Sequence, residues 1–208
     1  MVAQWEANVV ANGGSLTANS HTIITNLTAA LAALSCFDKL VYMLPLCGSG
    51  IGAAQTPLID AQSYGKATSI GFIPTDFSET TGLKGNGSSK RFDIPTKSST
   101  IIPIYGGFGL FYGLRYFSNV SPNLPCTSYN NSGNIVSGFT VYPAGTGFYS
   151  RGPTGQGALR SVGSGAATSA GNYYGQDADG STIGAVKLYR NGTEVTSSPS
   201  TGSSLSYP

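Results

Sequence analysis

Two pairs of carboxylates lie close together in the sequence, Asp76 with Glu79 and Asp177 with Asp179. Glycoside hydrolysis needs such a pair, one group as acid and the other as base or nucleophile across the bond. Both pairs fall in loop-like stretches and are neighbours only along the chain, so turn-making is the expected role. The run Asp177-Ala-Asp-Gly-Ser-Thr182 opens like a calcium loop. An EF-hand also requires a glutamate at its twelfth position, and counting from Asp177 that position is Leu188. His21, the single histidine, stands near an expected helix start with no second histidine or carboxylate cluster beside it. It reads as a solvent-facing or capping residue. A Gly-x-Ser-x-Gly elbow, a Walker loop and Cys/His metal spacing are all missing. The sequence therefore predicts no enzyme: no catalytic residue, no cofactor and no metal ligand.

Composition narrows the partners. Charged residues make up 10% of the 208, against about 25% in an average domain. The net charge is +2 and the longest basic run is Lys90-Arg91. Nucleic acid or an anionic membrane would call for a basic stripe, so neither is expected as a partner. Glycine is abundant, at 29 residues, and serine, threonine and asparagine are frequent. Such a surface is hydrated by hydroxyls and amides in place of charges. Cys36, Cys47 and Cys126 make an odd count, which excludes a complete intrachain disulfide framework. All three are expected as reduced thiols, in keeping with assembly in a reducing cytoplasm. The opening Met-Val-Ala-Gln-Trp-Glu lacks the basic and apolar regions of a signal peptide. The most apolar window, Ile101 to Phe117, is broken by Pro103, glycines and Arg115. It reads as paired strands, and no membrane insertion is expected. Five Asn-x-Ser/Thr triplets, at Asn26, Asn86, Asn119, Asn130 and Asn191, are what chance yields in so Asn-, Ser- and Thr-rich a chain.

Two regions must hold these residues: a helical segment over 1–60 and a β-rich domain over 61–208. In the first, Val2, Trp5, Val9 and Val10 mark one helical face and Asn12-Gly13-Gly14 supplies a positive-φ stop. A second helix is predicted to start near Thr17 or Ser20, with Ile23, Ile24, Leu27, Leu31 and Leu34 inside. Two short amphipathic helices are too little to bury a core alone. Gly85-Asn86-Gly87, between apolar residues, predicts a tight turn between two paired strands. Beyond it, strands are predicted at Ile101-Ile102, Ile104-Tyr105, Phe108 to Tyr112, Leu114 to Phe117, Ile135 to Tyr142, Gly145 to Tyr149, Ala158 to Val162 and Asn172 to Tyr174. Asn130 to Asn134 reads as a turn. In Ala185 to Val195, Asn191-Gly192 is a type I′ hairpin signal. Many short strands with close turns predict a mainly β fold, an antiparallel sandwich preceded by a short helical segment.

Several stretches also carry a resemblance. Glu79-Thr-Thr-Gly-Leu-Lys-Gly-Asn-Gly-Ser-Ser-Lys-Arg-Phe-Asp93 resembles a line found in phage virion structural proteins, head- or tail-associated or of fibre type. Val9-Val-Ala-Asn-Gly-Gly14, Phe37-Asp-Lys-Leu-Val-Tyr-Met-Leu-Pro-Leu46 and Gly52-Ala-Ala-Gln-Thr-Pro-Leu-Ile-Asp60 are similar to earlier pieces of the same proteins, in the same order. Leu188-Tyr-Arg-Asn-Gly-Thr-Glu-Val195 is similar to a hairpin frequent in laminin-G-like sandwiches. The resemblance implies a concanavalin A-like (laminin-G-like) jelly roll, a strand at Phe37–Leu46, and Leu58 and Ile59 docked beneath the sandwich. It also implies a non-enzymatic virion subunit (capsid decoration, fibre or tail-associated) assembled in the host cytoplasm. Its expected partners are other virion proteins and further copies of itself, with host attachment as a further role.

Two alternatives stand beside this reading. The first is a lectin-like glycan-binding module of a receptor-binding protein, in which Tyr173 and Tyr174 stack on host-surface sugars. The second is a carbohydrate-active enzyme. The final stretch, Ser197 to Pro208, holds few strand signals. The expectation is a sheet left open there, completed by a neighbouring chain or by sequence beyond Pro208.

Overall fold

A computed structural model describes residues 1–35, 37–86, 89–95, 108–114, 123–129, 135–142, 145–150, 160–164, 171–177, 186–195 and 200–201. Cys36, Gly87, the strands expected over 101–105 and 115–117, the turn at 130–134, Asp179 and the final stretch from Gly202 lie outside them. The chain divides into two compact units, Met1–Thr96 and Lys97–Pro208.

The first unit holds three helices among its described residues: α1 (Val2–Ala11), α2 (Ser20–Ala32) and α3 (Gly50–Gln55). Trp5 and Val9, one turn apart on α1, are buried, whereas Val10 is 62% exposed. Gly13, at φ 79°, ends the helix by the positive-φ stop expected from Asn-Gly-Gly. The buried stripe of α2 is narrower than its pattern suggests. Ile24 is fully buried and Leu27 and Leu31 pack on the core, while Ile23 and Leu34 are exposed. The stripe starts with a polar residue, Ser20, also fully buried.

Six short strands complete the unit: β1 (Tyr42–Met43), β2 (Ile59–Asp60), β3 (Thr68–Ile70), β4 (Phe77–Ser78), β5 (Gly82–Leu83) and β6 (Arg91–Asp93). They form three antiparallel pairs, β1 with β2, β3 with β6 and β4 with β5. The strand expected over Phe37–Leu46 is shorter than predicted, because Phe37–Lys39 is a 3₁₀ turn. The Gly85-Asn86 stretch is not a hairpin tip: β5 pairs backward with β4, and β6 with β3. Turn chemistry is present there, but it does not determine which strands pair. Asn86 Oδ1 accepts the backbone N–H groups of Ser89 and Lys90, each at 3.0 Å, and so shapes the return.

Trp5, Val9, Ile24, Cys47, Ala53, Ala54, Leu58, Ile59 and Phe77 form one buried cluster. Leu58 and Ile59 thus bury in the first unit's own core. Gly52 lets α3 approach the end of α1, since an added Cβ would overlap the Asn12 carbonyl oxygen and the Gly14 nitrogen. Two buried hydrogen bonds reinforce the junction. Trp5 Nε1 donates to the Thr56 carbonyl at 3.4 Å, and Thr56 Oγ1 donates to the Gly52 carbonyl at 2.7 Å. The sequence-based boundary near residue 60 therefore falls inside a unit whose core draws on Phe77, with Leu83 and Phe92 packed against it.

The described residues of the second unit form two antiparallel sheets. One has five strands in the order β15-β11-β10-β9-β8 and the other four, β14-β13-β12-β7. Their ranges are β7 (Phe108–Leu114), β8 (Asn123–Tyr129), β9 (Ile135–Tyr142), β10 (Gly145–Ser150), β11 (Arg160–Ser164), β12 (Gly171–Asp177), β13 (Val186–Arg190), β14 (Thr193–Glu194) and β15 (Ser200–Thr201). Strand β8 is absent from the sequence-based expectation. Pro125 argues against a central strand, and β8 is indeed a terminal one. On β13, Val186 and Leu188 are buried, whereas Lys187 and Tyr189 are more open. That is the alternation of a strand covered on one face. Phe148 of β10, also fully buried, lies over Gly175 of β12, where any Cβ would overlap its ring. The Asn191-Gly192 hairpin forms as predicted, with φ of 48° and 80° at its two central residues. It is latched to β12, because Asn172 N donates to Asn191 Oδ1 at 2.9 Å and Asn191 N to the Asn172 carbonyl at 2.8 Å. The fold is mixed and strand-rich, with several small antiparallel sheets and a few helices.

A fragment ending at Asp60 lacks Phe77 and its neighbours and is expected to be largely unfolded. One ending at Thr96 should melt cooperatively. Thermal melts of both by circular dichroism check this; a cooperative transition in the shorter fragment would contradict it.

Candidate functional site

The densest polar cluster among the described residues surrounds Glu79, in the turn between β4 and β5. Its Oε2 accepts the Thr17 hydroxyl at 2.6 Å, the Gly48 backbone N–H at 3.0 Å, the Ser20 hydroxyl at 3.2 Å and the Cys47 thiol at 3.6 Å. Thr17 and Ser20, read from the sequence as alternative caps of α2, are both turned to this carboxylate. Ser20 Oγ also accepts the Thr17 backbone N–H at 2.8 Å. Gly48, at φ 93°, directs its N–H inward, and an added Cβ would crowd the Ser15 carbonyl and Ala53.

The electrostatics follow from these donors. Burial pushes the Glu79 carboxyl upward, but the hydrogen bonds from Thr17, Gly48, Ser20 and Cys47 outweigh it and hold the carboxyl below its ordinary value. Burial, with the adjacent Glu79 charge, pushes the Cys47 thiol up to about 11. Cys47 is a free, buried cysteine, and at neutral pH it is a thiol, not the thiolate that nucleophilic chemistry requires. The carboxylate is engaged as an acceptor and the hydroxyls donate to it, so the arrangement fastens segments together.

The other carboxylates singled out by sequence are arranged differently. Asp76 does not face Glu79 as an acid–base partner. Its Oδ2 accepts the Ile73 N–H and its Oδ1 the Lys90 ammonium, each at 2.7 Å. The Ile73 hydrogen bond, followed by Lys90, lowers its pKa. Asp177 is the last residue of β12 and belongs to the second unit, whereas Asp76 and Glu79 belong to the first. His21 lies within α2, 71% exposed, with Nδ1 2.7 Å from Glu6 Oε1 on α1. It links two helices and caps neither. Among the described residues no group of three or more His, Cys, Asp and Glu side chains converges as a metal site would require. Nor is any helix there long and apolar enough to cross a membrane.

The second unit offers a shallower feature. Tyr174 on β12 and Tyr189 on β13 are direct cross-strand partners, with ring centroids 5.9 Å apart and planes inclined at 37°. Both Tyr173 and Tyr174, within the strand expected over Asn172 to Tyr174, belong to β12. Tyr174 is 39% exposed. Beside the pair, Arg190, Asn191, Thr193, Glu194 and Val195 line an open cleft of about 330 Å³. Sequence reasoning missed the Glu79 cluster entirely, since its members are separated by up to 62 residues and share no periodicity.

Among the described residues these features define a mixed, strand-rich protein with a carboxylate-centred fastening and a partly exposed aromatic pair. Comparison with known protein families, curated proteins and solved structures returns no match.

Replacing Glu79 with alanine leaves an amide, two hydroxyls and a thiol without their acceptor and should cost about 2–3 kcal/mol. The Glu79→Gln variant isolates the charge. A carboxyl with a depressed folded pKa stabilises fully above its unfolded value, ordinarily 4.5, and loses that stabilisation as pH falls through the folded value. Melts at about pH 7 and about pH 3 should therefore show the variant clearly weaker at the higher pH and close to the parent at the lower. Asp76 contributes acid sensitivity of the same sign to both chains, so the difference between them reports Glu79. An equal deficit at both pH values would contradict the assignment.

Proposed function

We propose that this chain is a non-enzymatic structural subunit of a phage particle, of capsid-decoration, fibre or tail-associated type. It acts through assembly with other virion proteins and with copies of itself. One observation carries the reading: the stretches that resemble virion proteins pack on one another in a single unit. Gly14 abuts Ala53, Leu58 and Ile59 share a core with Val9, and Leu83 and Phe92 pack against that core. Pieces that meet in space support a common structural segment better than pieces scattered over a chain. For the second unit we propose a concanavalin A-like (laminin-G-like) sandwich. Phe148 of one sheet lying over Gly175 of the other, and the buried Val186 and Leu188, support face-to-face packing.

The test is mass spectrometry of density-purified particles from a culture expressing the gene. Peptides of this chain should band with the particles at constant stoichiometry to the coat protein. A chain present in the lysate but absent from the particles overturns the reading.

A second reading, a glycan-binding module, is favoured by the exposed Tyr174 beside Tyr189, with the exposed Asn172 on the same strand supplying an amide. An apolar ring face next to hydrogen-bonding groups suits the two kinds of surface on a sugar ring. Binding to immobilised host-surface glycans should saturate and fall at least tenfold in Tyr174→Ala, about 1.4 kcal/mol or more. Unchanged binding, or none by the parent, removes this reading.

A further inference from the structure

We propose that two copies of this chain pair edge to edge through β7, Phe108–Leu114, joining their four-stranded sheets into one. The two sheets of the second unit end in four strands: β14, β7, β15 and β8. Native sheets blunt such edges with short strands, proline, charge or bulges, because an open row of N–H and C=O groups recruits another strand. Three of these four carry such a device. Strands β14 and β15 are two residues long. Strand β8 contains Pro125 and shifts register twice against β9.

Strand β7 has none. Its seven residues contain no proline and no charge. Its register with β12 is unbroken from Leu114 opposite Gly171 to Phe108 opposite Asp177. Among the described residues no strand lies on its far side.

The order of residues selects the occupant. Phe108-Gly-Leu-Phe-Tyr-Gly-Leu114 is nearly symmetric about Phe111. An antiparallel copy related by a two-fold axis at Phe111 sets Gly109 against Gly113, Leu110 against Tyr112 and Phe108 against Leu114. Glycine within a strand weakens it and marks places where another backbone comes close; here the two glycines stand equally far either side of the axis. A closed two-fold contact needs one self-complementary patch, and β7 is such a patch. The inference concerns how copies join and holds whatever assembly they build.

In this register the two Phe111 Cα atoms lie about 4.5–5.5 Å apart, within the span a disulfide bridges. The experiment is sedimentation velocity of the full 208-residue chain, with oxidative cross-linking of Phe111→Cys. The parent, oxidised identically, controls for the native cysteines, and Tyr129→Cys on β8 serves as the control edge. The expected result is a dimer, with a covalent dimer from Phe111→Cys only. Should that variant fail to fold, mixed Leu110→Cys and Tyr112→Cys chains are expected to cross-link to each other. A monomeric parent overturns the proposal. A dimer in which none of the β7 variants cross-links also overturns it, by placing the interface elsewhere.

Discussion

The carboxylate of Glu79 joins three segments that single β-bridges also link, Ser15 with Ser49 and Ser49 with Ser78. The loop before α2 supplies Thr17 and α2 itself Ser20, the loop before α3 supplies Cys47 and Gly48, and the β4–β5 turn supplies the charge. Apolar burial contributes more free energy to this unit, at about 1.5–3 kcal/mol for each large side chain fully buried. Burial is non-directional, however. Short elements such as α3 and the two-residue strands could slide on Trp5, Ile24 and Phe77 without much loss. Hydrogen bonds to one charged oxygen do not permit sliding, and they set where α2 begins and where the chain enters α3.

The second unit depends on a different constraint, contact at a position with no side chain. Phe148 is fully buried because β12 has glycine at 175. A side chain there would push the ring away and open the layer beneath Val186 and Leu188. The hairpin latch between Asn191 and Asn172 acts with this contact. It holds β13 in the register that keeps Leu188 inside, where a one-residue slip would exchange it for Lys187 or Tyr189.

What the sequence made legible was local. The Trp5–Val9 part of the α1 stripe, the stop at Gly13 and the I′ turn at Asn191-Gly192 rest on rules confined to a few neighbouring residues and appear where expected, whereas Val10 of the expected stripe is exposed. Gly85-Asn86 shows the limit of such rules: the turn chemistry is present, yet the flanking strands pair with earlier segments. Strand β8 is not among the expected strands; it carries Pro125, which a sheet edge tolerates, and β8 is such an edge. The Glu79 cluster had no local signal at all. Thr17 and Ser20 look like ordinary caps, and only the fold brings them to a carboxylate some sixty residues away.

This distribution of charge explains how so weakly charged a chain orders loops of its first unit. In the first unit, Asp60 accepts the N–H groups of Tyr64 and Gly65, Asp76 that of Ile73, and Glu79 that of Gly48. Asp60 and Asp76 each close a local turn, Glu79 ties in the Gly48 loop from 31 residues away, and only Asp76 among the three also takes a lysine. A hydrogen bond to a charged group is worth about 1.5–3 kcal/mol, whereas an exposed ion pair is worth about 0–1. Used as turn acceptors, the carboxylates therefore order more backbone than the same charges would as surface pairs. Asp76 and Glu79 are close in sequence yet bind amides of different loops, Asp76 within its own turn and Glu79 at Gly48, 31 residues away. The spacing that first suggested acid–base chemistry therefore sets one local acceptor beside one long-range acceptor.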